Sequence, residues 1–122
     1  REAPVALIAG GETTVTIDGE GGEGGPNQEF ALSAARALSS PRQVVLSLDT
    51  DGTDGPTALA GGLTDYSTTE RARGLGIELE RALSGHNVSP VLRKLDDAVI
   101  TGHTGTNVND LKLGLCGTMT SR

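Results

Sequence analysis

The sequence predicts a single α/β domain, residues 1–122, in which helices cover both faces of a mixed β-sheet to give a three-layer sandwich. Three observations support this prediction. Apolar or β-branched runs alternate with helical patterns after a hairpin-like start. Residues 43–48 are nearly all apolar, as in a strand that is buried on both faces. The length, 122 residues, is that of one domain.

The first half of the chain predicts two strands and a helix. Residues 5–9 form an apolar run that Gly10 and Gly11 end, and residues 13–17 alternate in the manner of a second strand. A loop of Gly and Glu over 19–25 then leads through Pro26 into a helix of about a dozen residues. Apolar side chains at three- and four-residue spacing form one face of that helix.

The second half predicts short elements. After the strand over 43–48, residues 60–64 read as a short strand, and Ser67 with Glu70 has the spacing of a capping box that opens a helix ending near Gly74. A helix over 77–83 is expected to stop at Gly85, and another begins at Ser89 and continues to residue 95. Strands over 98–101 and 111–115 complete the chain.

Composition and charge limit the partners. The net charge of −6 disfavours nucleic acid and anionic membranes, and no apolar stretch or signal peptide predicts insertion or export, so we expect a cytoplasmic protein. A single cysteine, Cys116, excludes an internal disulfide. An acidic domain attracts phosphate poorly, so a metal or another domain would have to supply cations. The chain opens on Arg1, and we interpret it as part of a longer protein.

Two loops of small polar residues carry the strongest functional signal. Residues 49–57 follow one predicted strand and residues 104–110 follow another. Loops at the carboxyl ends of strands are where open α/β folds usually bind ligands. Asp51 and Asp54 could hold Mg²⁺ or steer a hydroxyl group. The alternative is that both loops are tight turns, because Gly, Asp and Asn are also ordinary turn residues.

Other candidate binding residues flank these loops. Gly11 and Glu12 lie in the turn that closes the first strand, and Asn27, Gln28 and Glu29 form the first turn of the first helix. That helix start is either an anion site or a simple cap with a favourable dipole. In the second loop the candidates are Thr104, Gly105, Thr106 and Asn107. No serine lies in a nucleophile elbow, and the sequence leaves the metal ligands unknown.

Four sequence blocks, in order, resemble a known family. They are GGETTV at 10–15, GGPNQEFAL at 24–32, DGTDGPT at 51–57 and TGHTGTNVND at 101–110. Together they are similar to the MOFRL domain, the C-terminal domain of the glycerate 2-kinase family. The resemblance covers essentially the whole chain.

The resemblance implies a kinase that uses ATP and Mg²⁺ to convert glycerate to 2-phosphoglycerate. It also implies a partner, an N-terminal Rossmann-like domain that this chain lacks, which carries the lysine thought to act in catalysis. The active site lies in the cleft between the two domains, so this domain would form one wall of the cleft. We expect the isolated domain to fold without turning over substrate.

The chain departs from the family at Pro26, where many members have an arginine suited to clamping an anion. The family has also been labelled hydroxypyruvate reductase, so an oxidoreductase domain is one alternative. No G-x-G-x-x-G lies between a strand and a helix with a following acid, which argues against a nicotinamide site. The other alternative is a non-catalytic domain that binds a metabolite or a protein.

Overall fold

The computed structural model describes residues 3–12 and 21–117, and the strand predicted over 13–17 lies outside them. Within the described residues the chain forms five strands and four helices. In chain order they are β1 (Val5–Gly11), α1 (Pro26–Ala35), β2 (Gln43–Asp49), β3 (Gly61–Asp65), α2 (Thr68–Gly74), α3 (Leu79–Ser84), α4 (Ser89–Leu95), β4 (Ala98–Val99) and β5 (Asp110–Cys116). None of these helices is long and apolar enough to cross a membrane.

The strands form one sheet in the order β1-β5-β2-β3-β4. The single-domain α/β prediction is confirmed, but the described strands pair antiparallel throughout, so the expected mixed sheet is not found among them. The reason is the position of β5. The crossover through α1 leaves β1 and β2 parallel, as a strand–helix–strand unit should, and β5 then inserts between them and pairs antiparallel with both.

The described helices lie on one face of the sheet, so the structure has two layers there instead of the expected three. Helix α1 packs on β2 and β3, and the Thr64 hydroxyl donates to the Ala31 carbonyl at 2.7 Å. Gly62 lies directly beneath this layer, since a Cβ there would be 3.0 Å from the Ala31 side chain. The helical core consists of Leu32, Ala72, Leu79, Val88, Val91, Leu92 and Leu95.

The start of α4 agrees with the sequence prediction, and the cap predicted for α2 does not. Helix α4 begins at Ser89 as predicted. The capping box predicted at Ser67 is wrong, because that residue makes no side-chain cap to α2. Its hydroxyl donates instead to the Asp65 carboxylate at 2.7 Å, and Glu70 pairs with Arg73 at 2.6 Å. The Ser67 oxygen accepts from the Arg71 Nε at 2.9 Å, so a side-chain donor takes the place of the backbone N–H group that a cap would bind.

Candidate functional site

Three chain segments meet at one edge of the sheet. Gly11 at the end of β1 pairs with Asp110 at the start of β5, which pairs in turn with Asp49 at the end of β2. The end of β1, the loop after β2 and the loop before β5 therefore lie side by side at one edge of the sheet. The two polar loops that the sequence singled out belong to this edge, which we call the loop edge.

Thr50 binds the two polar loops together. Its N–H and its hydroxyl both donate to the Asn109 carbonyl, at 3.1 and 2.7 Å, and its hydroxyl accepts from the Val108 N–H at 2.8 Å. The Thr104 hydroxyl donates to the Thr50 carbonyl at 2.5 Å. These contacts make the two loops one structural unit.

Gly52 brings the two loop backbones into direct contact. Its φ of 97° is in the region that favours glycine, and a Cβ at this position would lie 1.9 Å from the Gly102 carbonyl oxygen. Only glycine therefore fits. Gly105 also has a positive φ, 82°, but a Cβ there would meet nothing within 4 Å. The backbone at Gly105 is open to an incoming group.

Asp51 and Asp49 are two of the carboxylates at the loop edge. The Asp51 carboxylate accepts from the N–H and the hydroxyl of Thr53, at 2.8 and 2.9 Å. These hydrogen bonds hold the pKa of Asp51 below its usual value. Burial raises the pKa of Asp49, whose Oδ1 accepts from the Asp51 N–H at 3.1 Å. Asp51 therefore keeps its negative charge to a lower pH than an ordinary aspartate.

Asp54, the second aspartate predicted to be catalytic, is 1% exposed and lies at the start of α1. Its Oδ1 accepts from the backbone and side-chain N–H groups of Asn27, both at 3.1 Å. Its Oδ2 accepts from those of Gln28, at 2.8 and 3.1 Å. The anion at this helix N-terminus is thus the protein's own carboxylate. A substrate contact for Asp54 stays a prediction, which its burial does not favour.

Asn27 and Gln28 use their remaining polar atoms inside the protein. The Asn27 Oδ1 accepts from the Ser47 hydroxyl at 2.6 Å and from the Lys112 ammonium at 3.2 Å. The Gln28 Oε1 accepts from the Ser89 hydroxyl at 2.5 Å. Both side chains are buried. A binding role for these two residues therefore stays a prediction, and the contacts observed here are structural.

The other predicted binding residues fall into two groups. Glu29 turns away from the loop edge and contacts His86, with 3.0 Å between Oε2 and Nδ1, and each of these side chains is 17% exposed. The remaining candidates are exposed at the loop edge, where a ligand could reach them: Gly11, Glu12, Thr104, Gly105, Thr106 and Asn107.

Lys112 is a cation that the sequence analysis overlooked. It lies on the helix-covered face of β5, opposite Ser47 and two residues from Asp110. Its ammonium is 3.2 Å from the Asn27 Oδ1 and 4.7 Å from the centre of the Phe30 ring. The sequence feature that could have identified Lys112 is its position as a single charged residue within an apolar strand. Across the described ranges, no group of three or more His, Cys, Asp or Glu side chains is arranged to hold a metal.

These features define a class of protein, namely an α/β domain that gathers glycine-rich Asp, Thr and Asn loops at one sheet edge. The model of the MOFRL family matches residues 5–110, and the chain belongs to that family.

The chain is 51% identical over 114 residues to a glycerate 2-kinase from Pyrococcus horikoshii and 50% identical over 113 residues to a D-glycerate 2-kinase from Thermotoga maritima. It covers 26% and 27% of those proteins, while 93% and 92% of the chain is matched. The chain thus spans about a quarter of their length. A protein from Agrobacterium vitis, 43% identical over 116 residues, carries a provisional hydroxypyruvate reductase name.

Two solved structures share the fold. The PH0495 protein from Pyrococcus horikoshii superposes with a TM-score of 0.93 at 49% identity, covering 97% of this chain and 27% of that one. The Thermotoga maritima glycerate kinase superposes with a TM-score of 0.87 at 46% identity, covering 91% of this chain and 27% of that one. The arrangement described here therefore recurs inside longer polypeptides.

Proposed function

We propose that this chain is a domain of an ATP-dependent glycerate kinase and forms one wall of the cleft in which glycerate becomes 2-phosphoglycerate. The observation that carries the proposal is the loop edge, where Asp51 and the exposed residues 104–107 share one unit built on Thr50. The glycerate kinase names of the relatives from Pyrococcus horikoshii and Thermotoga maritima support the reaction.

Phosphoryl transfer fits the chemistry of this edge. The reaction depends on positioning and on charge neutralisation more than on a strong nucleophile. Open backbone at Gly105 and hydroxyl and amide groups at Thr106 and Asn107 suit contacts to phosphate or to the glycerate hydroxyls. Asp51, held ionised by Thr53, is the group that we propose to orient Mg²⁺ or the acceptor hydroxyl.

Cations must balance the phosphates of ATP. We propose that Mg²⁺ and an adjoining Rossmann-like domain of the same protein supply most of this charge. Lys112 is the nearest contribution from this chain, because its ammonium lies at the start of α1 and has hydrogens beyond the one that Asn27 accepts. A reaction that consumes ATP also supports the cytoplasm as the proposed location.

Two other functions would compete with this proposal. The provisional name of the Agrobacterium vitis relative favours a hydroxypyruvate reductase, and a non-catalytic metabolite-binding domain would use the same open loops. A coupled assay on the full-length protein with ATP, Mg²⁺ and D-glycerate should show turnover, with 2-phosphoglycerate as product. Oxidation of NADH by hydroxypyruvate without ATP-dependent turnover would establish the reductase instead. Binding of glycerate without either reaction would establish the non-catalytic role.

Asp51 provides the residue-level test. Asp51→Asn in the full-length protein keeps the turn-forming side chain but removes the charge, and it should lower kcat by roughly a hundredfold or more. Asp96→Asn is the matched control, because Asp96 is a turn residue too, exposed at φ 59°, but lies at the end of α4. Wild-type activity of Asp51→Asn across Mg²⁺ concentrations would show that Asp51 is only a turn residue.

A further inference from the structure

The three longest strands contribute no apolar side chain to the buried core. Val44, Val45, Leu46 and Leu48 of β2 are only half-buried, although β2 is the middle strand of the described sheet. Every residue of β1 is exposed. The buried apolar residues lie instead in the helices, in the turn before α4 and just before β3. An apolar central strand normally has both of its faces covered.

The face opposite the described helices is uncovered, and on the helix side Val5 and Leu7 of β1 are exposed as well. The strand register aligns Ile8, Leu113, Leu46 and Leu63 in one continuous row across four strands. Ile8 is 71% exposed and Leu63 is 45% exposed. A second row beside it contains Ala6, Leu115 and Val44 and ends at Asp65, whose carboxylate lies 3.7 Å from the Arg71 guanidinium. We call the seven apolar side chains of these two rows the open face. Since they are uncharged, the open face suits an apolar partner.

Three different environments could lie against the open face: water, a second copy of the chain, or another part of a longer protein. A contiguous set of exposed and half-buried apolar side chains is unusual for a surface that stays in water. The net charge of −6 works against pairing two copies. The same fold occurs in the Pyrococcus horikoshii structure as 27% of the chain, so most of that polypeptide lies outside the matched part.

We propose that another segment of the same longer polypeptide packs on the open face and supplies the third layer of the fold. The partner segment presents an apolar surface to the seven apolar side chains of the open face, and Asp65 beside them already pairs with Arg71. This contact is separate from the loop edge and does not depend on the reaction that the protein catalyses. It requires the domain to be held at its sheet face, while the loop edge stays accessible.

Hydroxyl-radical footprinting of the wild-type full-length protein tests this proposal without any variant. The probes are Ile8 and Leu63 on the open face, and Leu75, which is 59% exposed at the end of α2, is the internal control. We expect oxidation of Ile8 and Leu63 to be lower than that of Leu75 by roughly fivefold or more, at both low and high protein concentration. Equal oxidation of all three would show that the open face is in water and would overturn the proposal.

Protection that appears only at high concentration, together with a dimer in light scattering, would identify a second copy as the occupant and would also overturn the proposal. A matched pair of variants adds an energetic readout. Leu63→Glu places a charge in the covered layer and should lower the melting temperature of the full-length protein. Leu75→Glu should leave it nearly unchanged. Equal melting temperatures for the two variants would contradict the proposed packing.

Discussion

Asp54→Asn tests whether the buried carboxylate at the start of α1 is a structural anchor. The substitution preserves size and one acceptor oxygen, but it replaces the other oxygen with an amide NH₂ group. In the structure each carboxylate oxygen accepts two N–H groups, one pair from Asn27 and the other from Gln28. Whichever way the amide turns, two donors lose their acceptor and face another donor.

The cost follows from these contacts. A buried donor left without an acceptor costs about 1–3 kcal/mol, so two such donors with partial relaxation should cost about 2–4 kcal/mol. If the domain unfolds as its own cooperative unit, that loss corresponds to a fall in melting temperature of roughly 6–15 °C, and to a smaller fall if the full-length protein unfolds as one unit. Asp51→Asn is the control, since its carboxylate accepts from Thr53 within the same turn, lies beside Asp49 and is partly exposed. It should change the melting temperature little.

The assay is thermal unfolding of both variants in the full-length protein, followed by steady-state kinetics on the fraction that remains folded. Asp54→Asn should melt early and retain most of its kcat, while Asp51→Asn should melt normally and lose activity. The reverse pattern would refute this reasoning. In particular, an Asp54→Asn variant with an unchanged melting temperature and a kcat reduced roughly a hundredfold would mean that Asp54 acts on the substrate.

Two further predictions concern the loop edge. Gly52→Ala should destabilise the fold by about 2–4 kcal/mol in chemical denaturation, because it combines a positive φ with a collision at the Gly102 carbonyl. Gly105→Ala should cost only about 1 kcal/mol, because a Cβ there meets nothing. Equal losses of stability in the two variants would show that the contact between the loops is not formed. Burial raises the pKa of Asp49, so its ionisation disfavours the folded state, and stability is lost as the pH rises through the folded pKa. Asp49→Asn should therefore gain melting temperature relative to wild type between about pH 3 and about pH 7, and a constant difference would contradict the raised pKa.

The sequence was sufficient wherever the signal lay within a few residues. Helix α4 begins at Ser89, with Pro90 in its first turn, and ends at Leu95, as the capping pattern predicted. The apolar runs placed β2 and β5 to within two residues. The family resemblance, based on four blocks of short motifs, is confirmed by the match over residues 5–110. Local hydrogen bonding and hydrophobic periodicity encode all of these features directly.

The tertiary structure alone decided which of two similar aspartates is fully buried. Asp51 and Asp54 lie three residues apart in one polar loop, yet one faces the loop edge and the other is buried under α1. The donors that enclose Asp54 come from residues 26 and 27 positions away. Likewise, the insertion of β5 between β1 and β2 set the antiparallel order. Contacts between distant parts of the chain determine these outcomes. No local sequence pattern determines which distant donor will contact Asp54 or which strand will pair with β1 and β2.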